Sequence, residues 1–329
     1  MGNVLITGGA GFIGYHLASY LLARGHRIDL VDNFSRGVHD QSLDALSSQD
    51  GIRLINLDLS DKSALAELDT GYRLIFHLAA IVGVQHVLKA PYDVLSANVE
   101  LLQNMLLFAK RQAALERFVF TSTSEVYAGT LKHFSMPIPT PETTPLALDE
   151  LSNKRPSYML SKIYGEALCL HSGLPVTIVR PHNFYGPRMG LSHVIPELLQ
   201  KAYTTSGDTL PVFSADHRRT FCYIDDAVAM ISALALARAS LGQTFNVGNQ
   251  APEVSMRELA GIILSVTGKD LKIDPQPATP GSPPRRCPDM TRTFGTIDYR
   301  PRIDLLTGVR RTFAWYKDNV FANQGTSAV

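Results

Sequence analysis

Cysteine is scarce in this chain of 329 residues: Cys169, Cys222 and Cys287 stand far apart and are odd in number. That argues against a disulfide-stapled scaffold or a cysteine metal cluster and points to a reducing compartment, so a cytoplasmic location is expected. No apolar run is long enough to span a bilayer, and the chain enters a strand at once, so neither a membrane anchor nor a signal peptide is expected. Met1-Gly2 does not start a myristoylation signal, since position 6 is Ile6. No sign of charge dominates either: 31 Lys and Arg against 30 Asp and Glu leave a net charge of +1. Nothing in that balance draws nucleic acid or an anionic membrane as a partner. His86, His193 and His217 have no spacing that suggests a metal site, and none is expected. What is present, 45% hydrophobic residues with 24 Gly and 19 Pro, is ordinary for a soluble α/β protein of one large or two ordinary domains.

The chain is organised around Val4-Leu5-Ile6-Thr7-Gly8-Gly9-Ala10-Gly11-Phe12-Ile13-Gly14. Three apolar residues suit a parallel strand covered on both faces. Gly8, Gly11 and Gly14 follow at three-residue spacing and can supply a tight turn, close approach to a pyrophosphate, and close packing of helix on strand. Phe12 and Ile13 open a helix running to about Arg24, whose N-terminal N–H groups face that phosphate. A second strand, Arg27 to Asp32, ends on an acid roughly 20 residues on, placed for an adenosine ribose. Asp32 favours NAD over NADP by repelling a 2′-phosphate; Arg36 is the neighbour that would favour NADP.

Strands and helices then alternate, as in a doubly wound parallel sheet of Rossmann type. Expected strands are Arg53–Leu57 ending at Asp58, Leu74–Leu78 ending at Ala79-Ala80, Phe118–Phe120 and Pro175–Arg180. Asp58 with Leu59, Asn33 beside Asp32, Ala79, Ala80 and Asn98 near the start of a helix over Val94–Ala113 are assigned to the cofactor crevice. Phe134–Pro145 and Pro275–Pro288 read as loops, and helices are expected at Tyr158–Leu170, Asp226–Ala239 and Thr307–Tyr316. Past Arg180 the pattern becomes shorter and more broken. Residues 1–179 are therefore read as the dinucleotide-binding domain. Residues 180–329 are read as mainly a smaller substrate-binding domain, with segments interleaved into the first.

Tyr158 and Lys162 are four apart and share a helix face. A free phenol titrates near 10, too high for a base at neutral pH. A lysine one turn away, together with an oxidised nicotinamide, would lower it enough to take a proton from a sugar hydroxyl.

With these residues in view, the chain resembles the extended short-chain dehydrogenase/reductase family, in its nucleotide-sugar epimerase/dehydratase branch. The likeness runs through the glycine motif, His77-Leu78-Ala79-Ala80, Thr123-Ser124-Glu125-Val126-Tyr127 and Tyr158-x-x-x-Lys162. It continues through Arg180-x-x-Asn183-x-x-Gly186-Pro187-Arg188, Arg219-x-Phe221-x-Tyr223-Ile224-Asp225-Asp226 and Asn246-Val247-Gly248. The resemblance implies NAD reduced and reoxidised within one turnover, Thr123 beside Tyr158 at the sugar O4, and Lys162 on the nicotinamide ribose. It implies Ser124, Asn183, Arg188, Arg219 and one of Arg285 and Arg286 on a nucleotide-sugar substrate, a UDP-sugar by preference. It also implies a homodimer formed by pairing Val94–Ala113 with Tyr158–Leu170. Glu125 resembles the decarboxylase and dehydratase branches, where a carboxylate acts near C5. Ser124 stands where the best-known 4,6-dehydratases carry an aspartic acid, and Gly186–Met189 with Arg285–Asp289 most resemble UDP-glucuronate decarboxylases. Dehydration, 4-epimerisation and a non-catalytic NAD-binding scaffold stay open as alternatives at this point.

Overall fold

The computed structural model describes residues 2–279 and 282–322. β1 (Asn3–Thr7) leads into α1 (Phe12–Leu22), β2 (Arg27–Asp32) into α2 (Gln41–Ser47), and β3 (Ile52–Asn56) through a 3-10 turn into β4 (Leu74–His77). Then come α3 (Val84–Lys89), α4 (Pro91–Ala109), β5 (Arg117–Thr121), a 3-10 turn over Ser124–Tyr127, α5 (Ala128–His133), α6 (Pro156–Leu170) and β6 (Val176–Pro181). Shorter elements follow: β7 (Phe184–Tyr185), α7 (Val194–Thr204), β8 (Thr209–Phe213), β9 (Arg218–Arg219) and β10 (Cys222–Tyr223). α8 (Ile224–Leu236), β11 (Gln243–Val247), β12 (Val254–Ser255) and α9 (Met256–Thr267) come next. The described chain ends with β13 (Lys272–Gln276), β14 (Arg285–Arg286), α10 (Thr291–Thr296) and α11 (Leu305–Tyr316), the last running on to Phe321 as a π-helical turn.

Seven strands form one parallel sheet in the order β11-β6-β5-β4-β1-β2-β3. The order reverses at β1, so a crevice opens beyond the C-terminal ends of β1 and β4. Burial on both faces explains the apolar strands. Val4 and Ile6 pack with Leu17 and Leu21 of α1 and Ile231 and Leu234 of α8. Leu5, between them, packs with Leu102 and Met105 of α4 and Cys169 of α6 on the other face.

The expected elements of the first half are present with shifted ends. α4 starts at Pro91 instead of Val94, because a proline suits the first helical turn, and stops at Ala109. α8 covers Ile224–Leu236 and packs on α1, and β11 joins the sheet beside β6. Asp226, buried at the start of α8, accepts bonds from the Tyr299 hydroxyl (2.7 Å) and the N–H groups of Arg302 (3.0 Å) and Ile303 (2.9 Å). It ties the C-terminal segment to the sheet.

Pro275–Pro288 departs from the expected loop: it holds the end of β13 and all of β14, with residues 280 and 281 outside the described set. β13 pairs in parallel with β8 from Lys272↔Thr209 to Gln276↔Phe213 in a two-stranded sheet. Pro275 therefore sits on an edge strand, where its missing N–H is tolerated. β9 stands between β12 and β14 in a three-stranded sheet.

The long loop before α6 is packed closely. Thr130 Oγ1 donates to the Pro145 carbonyl at 2.5 Å and accepts the Ala147 N–H at 3.0 Å. A Cβ on Gly129 would come within 1.9 Å of the Ala147 carbonyl oxygen, a backbone atom that cannot swing aside. Gly129→Ala is expected to destabilise the fold by about 2 kcal/mol or more. Denaturant unfolding with an unchanged midpoint would contradict this packing.

Candidate active site

The crevice begins at the glycine turn. Gly8 has φ +70, and a Cβ there would lie 2.9 Å from the Ala79 nitrogen. A Cβ on Gly14 would reach 2.3 Å from the Gly8 carbonyl oxygen, so this glycine lets α1 rest on the turn. Gly11 is the N-cap of α1 with no side-chain cap, and the first turn, opened by Phe12 and Ile13, carries no acid. Its free N–H groups make an anion site. Asp32 at the end of β2 accepts the Ala10 N–H at 3.0 Å through one oxygen and the Phe34 N–H at 2.9 Å through the other. Each oxygen keeps a lone pair for a ribose hydroxyl. Asn33 donates to exposed Asp58 at 3.2 Å. Leu59 buries its side chain in the core instead of the crevice.

On the other wall, Ala79 and Ala80 follow β4, and Thr7 Oγ1 accepts the Ala79 N–H at 3.3 Å. Asn98 is buried against the loop after β4. Its amide accepts the Ile81 N–H at 2.7 Å and donates to the Ile81 carbonyl at 3.0 Å, so it holds the loop after β4 in place. Arg36, outside the set expected for the site, reaches from the loop after β2 to the Val82 carbonyl, spanning both walls. A cradle that no Cβ could share, an uncapped helix start and a carboxylate at the ribose position fit a dinucleotide such as NAD.

Tyr158, Thr123, Glu125 and Lys162 meet at the ends of β5 and α6. The Thr123 hydroxyl faces the Tyr158 phenol and caps its own turn by accepting the Glu125 N–H at 3.2 Å. Burial and the Glu125 carboxylate push the phenol above its ordinary value, while Thr123 and the Arg36 cation oppose them. Lys162 lies 5.9 Å from the Tyr158 ring centre, donates to the Thr121 carbonyl at 2.8 Å and faces the Phe120 ring. Burial pulls Lys162 down to about 8, against Cys169 and Glu166, which pull it up. The expected lowering called for an oxidised nicotinamide as well as the lysine; in the protein by itself burial and Glu125 prevail. Ser124 is buried beside Glu125.

Arginines from the second half close the other side. Arg286 and Arg219 are register partners across β14 and β9. Burial works against the charge of Arg286, Glu125 supports it and Arg155 opposes it. Burial, then Arg286, pulls Arg219 down to about 10. Two partly desolvated guanidiniums thus stand side by side, with the Glu125 carboxylate within electrostatic reach of Arg286. Other expected contacts lie elsewhere. Arg285 turns outward into a bidentate pair with Glu253, at 2.8 Å through Nε. Arg188 gives Nε to Asp40 (2.9 Å) and Nη2 to the Val38 carbonyl (2.9 Å), stacked 4.3 Å over Tyr15. Its guanidinium is thereby tied to the β2–α2 loop. Asn183, at φ 44, donates to the Thr220 carbonyl at 2.9 Å.

Residues 4–248 match the model of the NAD-dependent epimerase/dehydratase family. The chain belongs to that family. It is 34% identical over 95% of its length to a UDP-N-acetyl-α-D-glucosaminuronate decarboxylase of Bacillus cytotoxicus, covering 97% of that protein. UDP-glucuronic acid decarboxylase 1 of Arabidopsis thaliana is 32% identical, with 97% of this chain and 70% of that protein covered. Among solved structures, dTDP-glucose 4,6-dehydratase of Streptomyces venezuelae, with NAD bound, superposes with a TM-score of 0.83 at 27% identity. That match covers 96% of this chain and 97% of the other. Family members are NAD-dependent enzymes, and this chain is one of them. Among the described residues no group of His, Cys, Asp and Glu could hold a metal ion, and no helix is long and apolar enough to cross a membrane.

With Asp32 already holding two N–H groups, a 2′-phosphate would add like charge beside it. Calorimetry is expected to show NADP binding about tenfold or more weaker than NAD, a difference of roughly 1.4 kcal/mol. Equal affinities would transfer the ribose site to Arg36.

Proposed function

We propose that this enzyme removes the C6 carboxylate of a UDP-hexuronate, with UDP-glucuronate as the leading substrate. The observation that carries the reading is Glu125 within electrostatic reach of both the Tyr158 phenol and Arg286. A base for the C4 hydroxyl, an acid for C5 and a cation for a carboxylate are thereby grouped. The two relatives that decarboxylate UDP-hexuronates support the same choice. Residues 1–179 hold the cofactor and residues from 180 on supply most of the nucleotide-sugar wall, with α8 and β11 returned to the sheet.

NAD, when bound, supplies the two-electron acceptor and donor for C4. Tyr158 takes the proton of the C4 hydroxyl, with Thr123 fixing the oxygen. Gly8, Gly11, Phe12, Ile13, Asp32, Asn33, Asp58, Ala79 and Ala80 line the cofactor, and Lys162 holds its ribose end. Once C4 is a ketone, a C6 carboxylate is a β-keto acid: the C5–C6 bond breaks, carbon dioxide leaves and the electron pair passes into an enolate. A proton from solvent, relayed through Glu125, then reaches C5. Ser124 has no acidic proton with which to expel a C6 hydroxyl, which disfavours dehydration. Arg286 receives the substrate carboxylate, and Arg219 with Asn183 faces the diphosphate.

Mass analysis after mixing the protein with UDP-glucuronate, its 2-acetamido analogue and neutral UDP-hexoses decides between reactions. Loss of 44 mass units of carbon dioxide, about 44 Da, is expected from a uronate. Loss of water, or no mass change with a new epimer, would replace the reading; bound NAD without turnover of any sugar would favour a scaffold. Glu125→Gln is expected to build up reduced nicotinamide on mixing and to slow product formation by roughly 10²-fold. An unchanged product rate would remove Glu125 from the chemistry.

We also propose that α4 and α6 pair with a second copy as a homodimer. Tyr92 (78% exposed), Leu107 (58%) and Tyr164 (47%) stand on the outer faces of these helices. Leu107→Glu with Tyr164→Glu is expected to give monomers in sedimentation; an unchanged mass would move the interface elsewhere.

A further inference from the structure

The Tyr158–Lys162 spacing continues one more turn to Glu166, so a third polar side chain shares that face of α6. Glu166 is buried against the end of β6. Arg180 donates Nε to its Oε1 at 2.9 Å and Nη2 to its Oε2 at 2.6 Å, with the two side chains 5% and 7% exposed. Ser122 Oγ donates to the same Oε1 at 2.5 Å, and Ser122 directly precedes Thr123. On its other side Arg180 donates Nη1 to the Tyr127 hydroxyl at 2.7 Å. Tyr127 closes the 3-10 turn that carries Glu125.

Two arms of the site therefore rest on one pair. α6 carries Tyr158 and Lys162; the turn after β5 carries Thr123 and Glu125, and it is held at both ends, by Ser122 and by Tyr127. We infer that Glu166 and Arg180 are positioning residues, setting the register of the phenol-bearing helix against the turn that bears Thr123 and Glu125. A neutral packed pair would hold the helix without the fork geometry that fixes it in direction as well as distance. The Glu166 carboxylate also faces the Lys162 ammonium, as do Cys169 and Tyr158 on α6, His77 on β4 and the Phe120 ring on β5. Of these His77 is neutral, pulled down to about 3 by burial and then by Lys162 itself.

The inference rests on Tyr158, Lys162 and Glu125 as the reacting groups, so the test includes a readout that needs no sugar: NAD affinity against pH on the full chain. Removing the Glu166 charge lowers the Lys162 pKa and leaves the Arg180 cation uncompensated, which acts in the same direction. In Glu166→Gln the alkaline edge of NAD binding is expected to move to lower pH by on the order of one unit. With the nucleotide sugar, kcat is expected to fall about tenfold or more while KM stays within about twofold. Glu166→Asp, which keeps the charge, restores the edge. Arg180→Lys keeps the charge but loses the fork, so kcat falls with the edge in place. A folded Glu166→Gln protein with wild-type edge and kcat, changed only in Tm, overturns the inference. Should that variant not fold, Arg180→Lys with wild-type kcat overturns it. Failure of the decarboxylase reading shows separately, as a wild-type protein that binds NAD and releases no carbon dioxide.

Discussion

Taking lysine, glutamate and arginine out of water at the end of one sheet is the constraint on which the site depends. Each ion left alone would cost several kcal/mol in desolvation, and removing one member of a buried pair typically costs about 3–5 kcal/mol. The fold offsets this by leaving no member isolated. Glu166 takes both prongs of Arg180 and the Ser122 hydroxyl. The Tyr127 hydroxyl passes the chain on to Asn246 at 3.0 Å, and the His182 ring meets the same amide oxygen at 3.0 Å. Asn246 in turn fixes the loop before α6, through its N–H on Glu142 (2.7 Å) and its amide on the Thr140 carbonyl (2.9 Å). The ends of β5, β6 and β11 are thus joined by polar bonds inside a core. Burial pulls His182 down to about 3, so its ring is a neutral member of this network.

That rigidity bears on the phenol. Burial and Glu125 both favour protonated Tyr158, and Lys162 spends its nearest contact on the Thr121 carbonyl. A base at neutral pH then needs more positive charge than the protein alone brings, and an oxidised nicotinamide beside the ring is the charge that the family's cofactor carries. Proton transfer in such a site is conditional on occupancy. A phenol kept protonated until the cofactor is in place does not remain a buried anion in the empty protein, where it would be costly.

Legibility followed periodicity and spacing. β1 to β6 and α1, α4 and α6 were readable because a two-faced parallel sheet demands apolar runs and its crossovers demand amphipathic helices. Tyr158, Lys162 and Thr123 were readable because four-residue spacing on α6 and a strand end converge. The second half was harder. β9, β12 and β14 are two residues each, too short for any alternation to register. Ser255-x-x-Glu258 closes a capping box at α9, with both reciprocal bonds formed, a helix not among those expected. Arg188 and Arg285 show that motif position does not fix the direction of a side chain, and only one of Arg285 and Arg286 was expected at the substrate. Arg188 and Arg285 belong to segments that resemble substrate-binding motifs, yet Asp40 and Glu253, distant in sequence, decide where the guanidiniums point. Glu166 was legible in principle, four residues past Lys162, but only its partner on β6 shows it to be buried.

On the proposed reading, the arginine pair gives the second half its part in the chemistry. Arg219 and Arg286 stand opposite each other on neighbouring strands, and like charges so placed repel. Arg219 directs its donors to the carbonyls of Arg218 and Pro283 and to Ser282 Oγ, so its nitrogens soften the charge without cancelling it. On that reading, a dianionic diphosphate or a carboxylate offsets that repulsion. On the proposed reading, binding energy from the non-reacting end of the substrate is thereby spent in setting the sugar between Arg286 and Glu125. Once C4 is oxidised, the carboxylate leaves as neutral carbon dioxide and the arginine pair loses its anion. That contact stabilises the reactant and not the product, so the forward direction comes from the departure of carbon dioxide, and the product is held by its diphosphate alone.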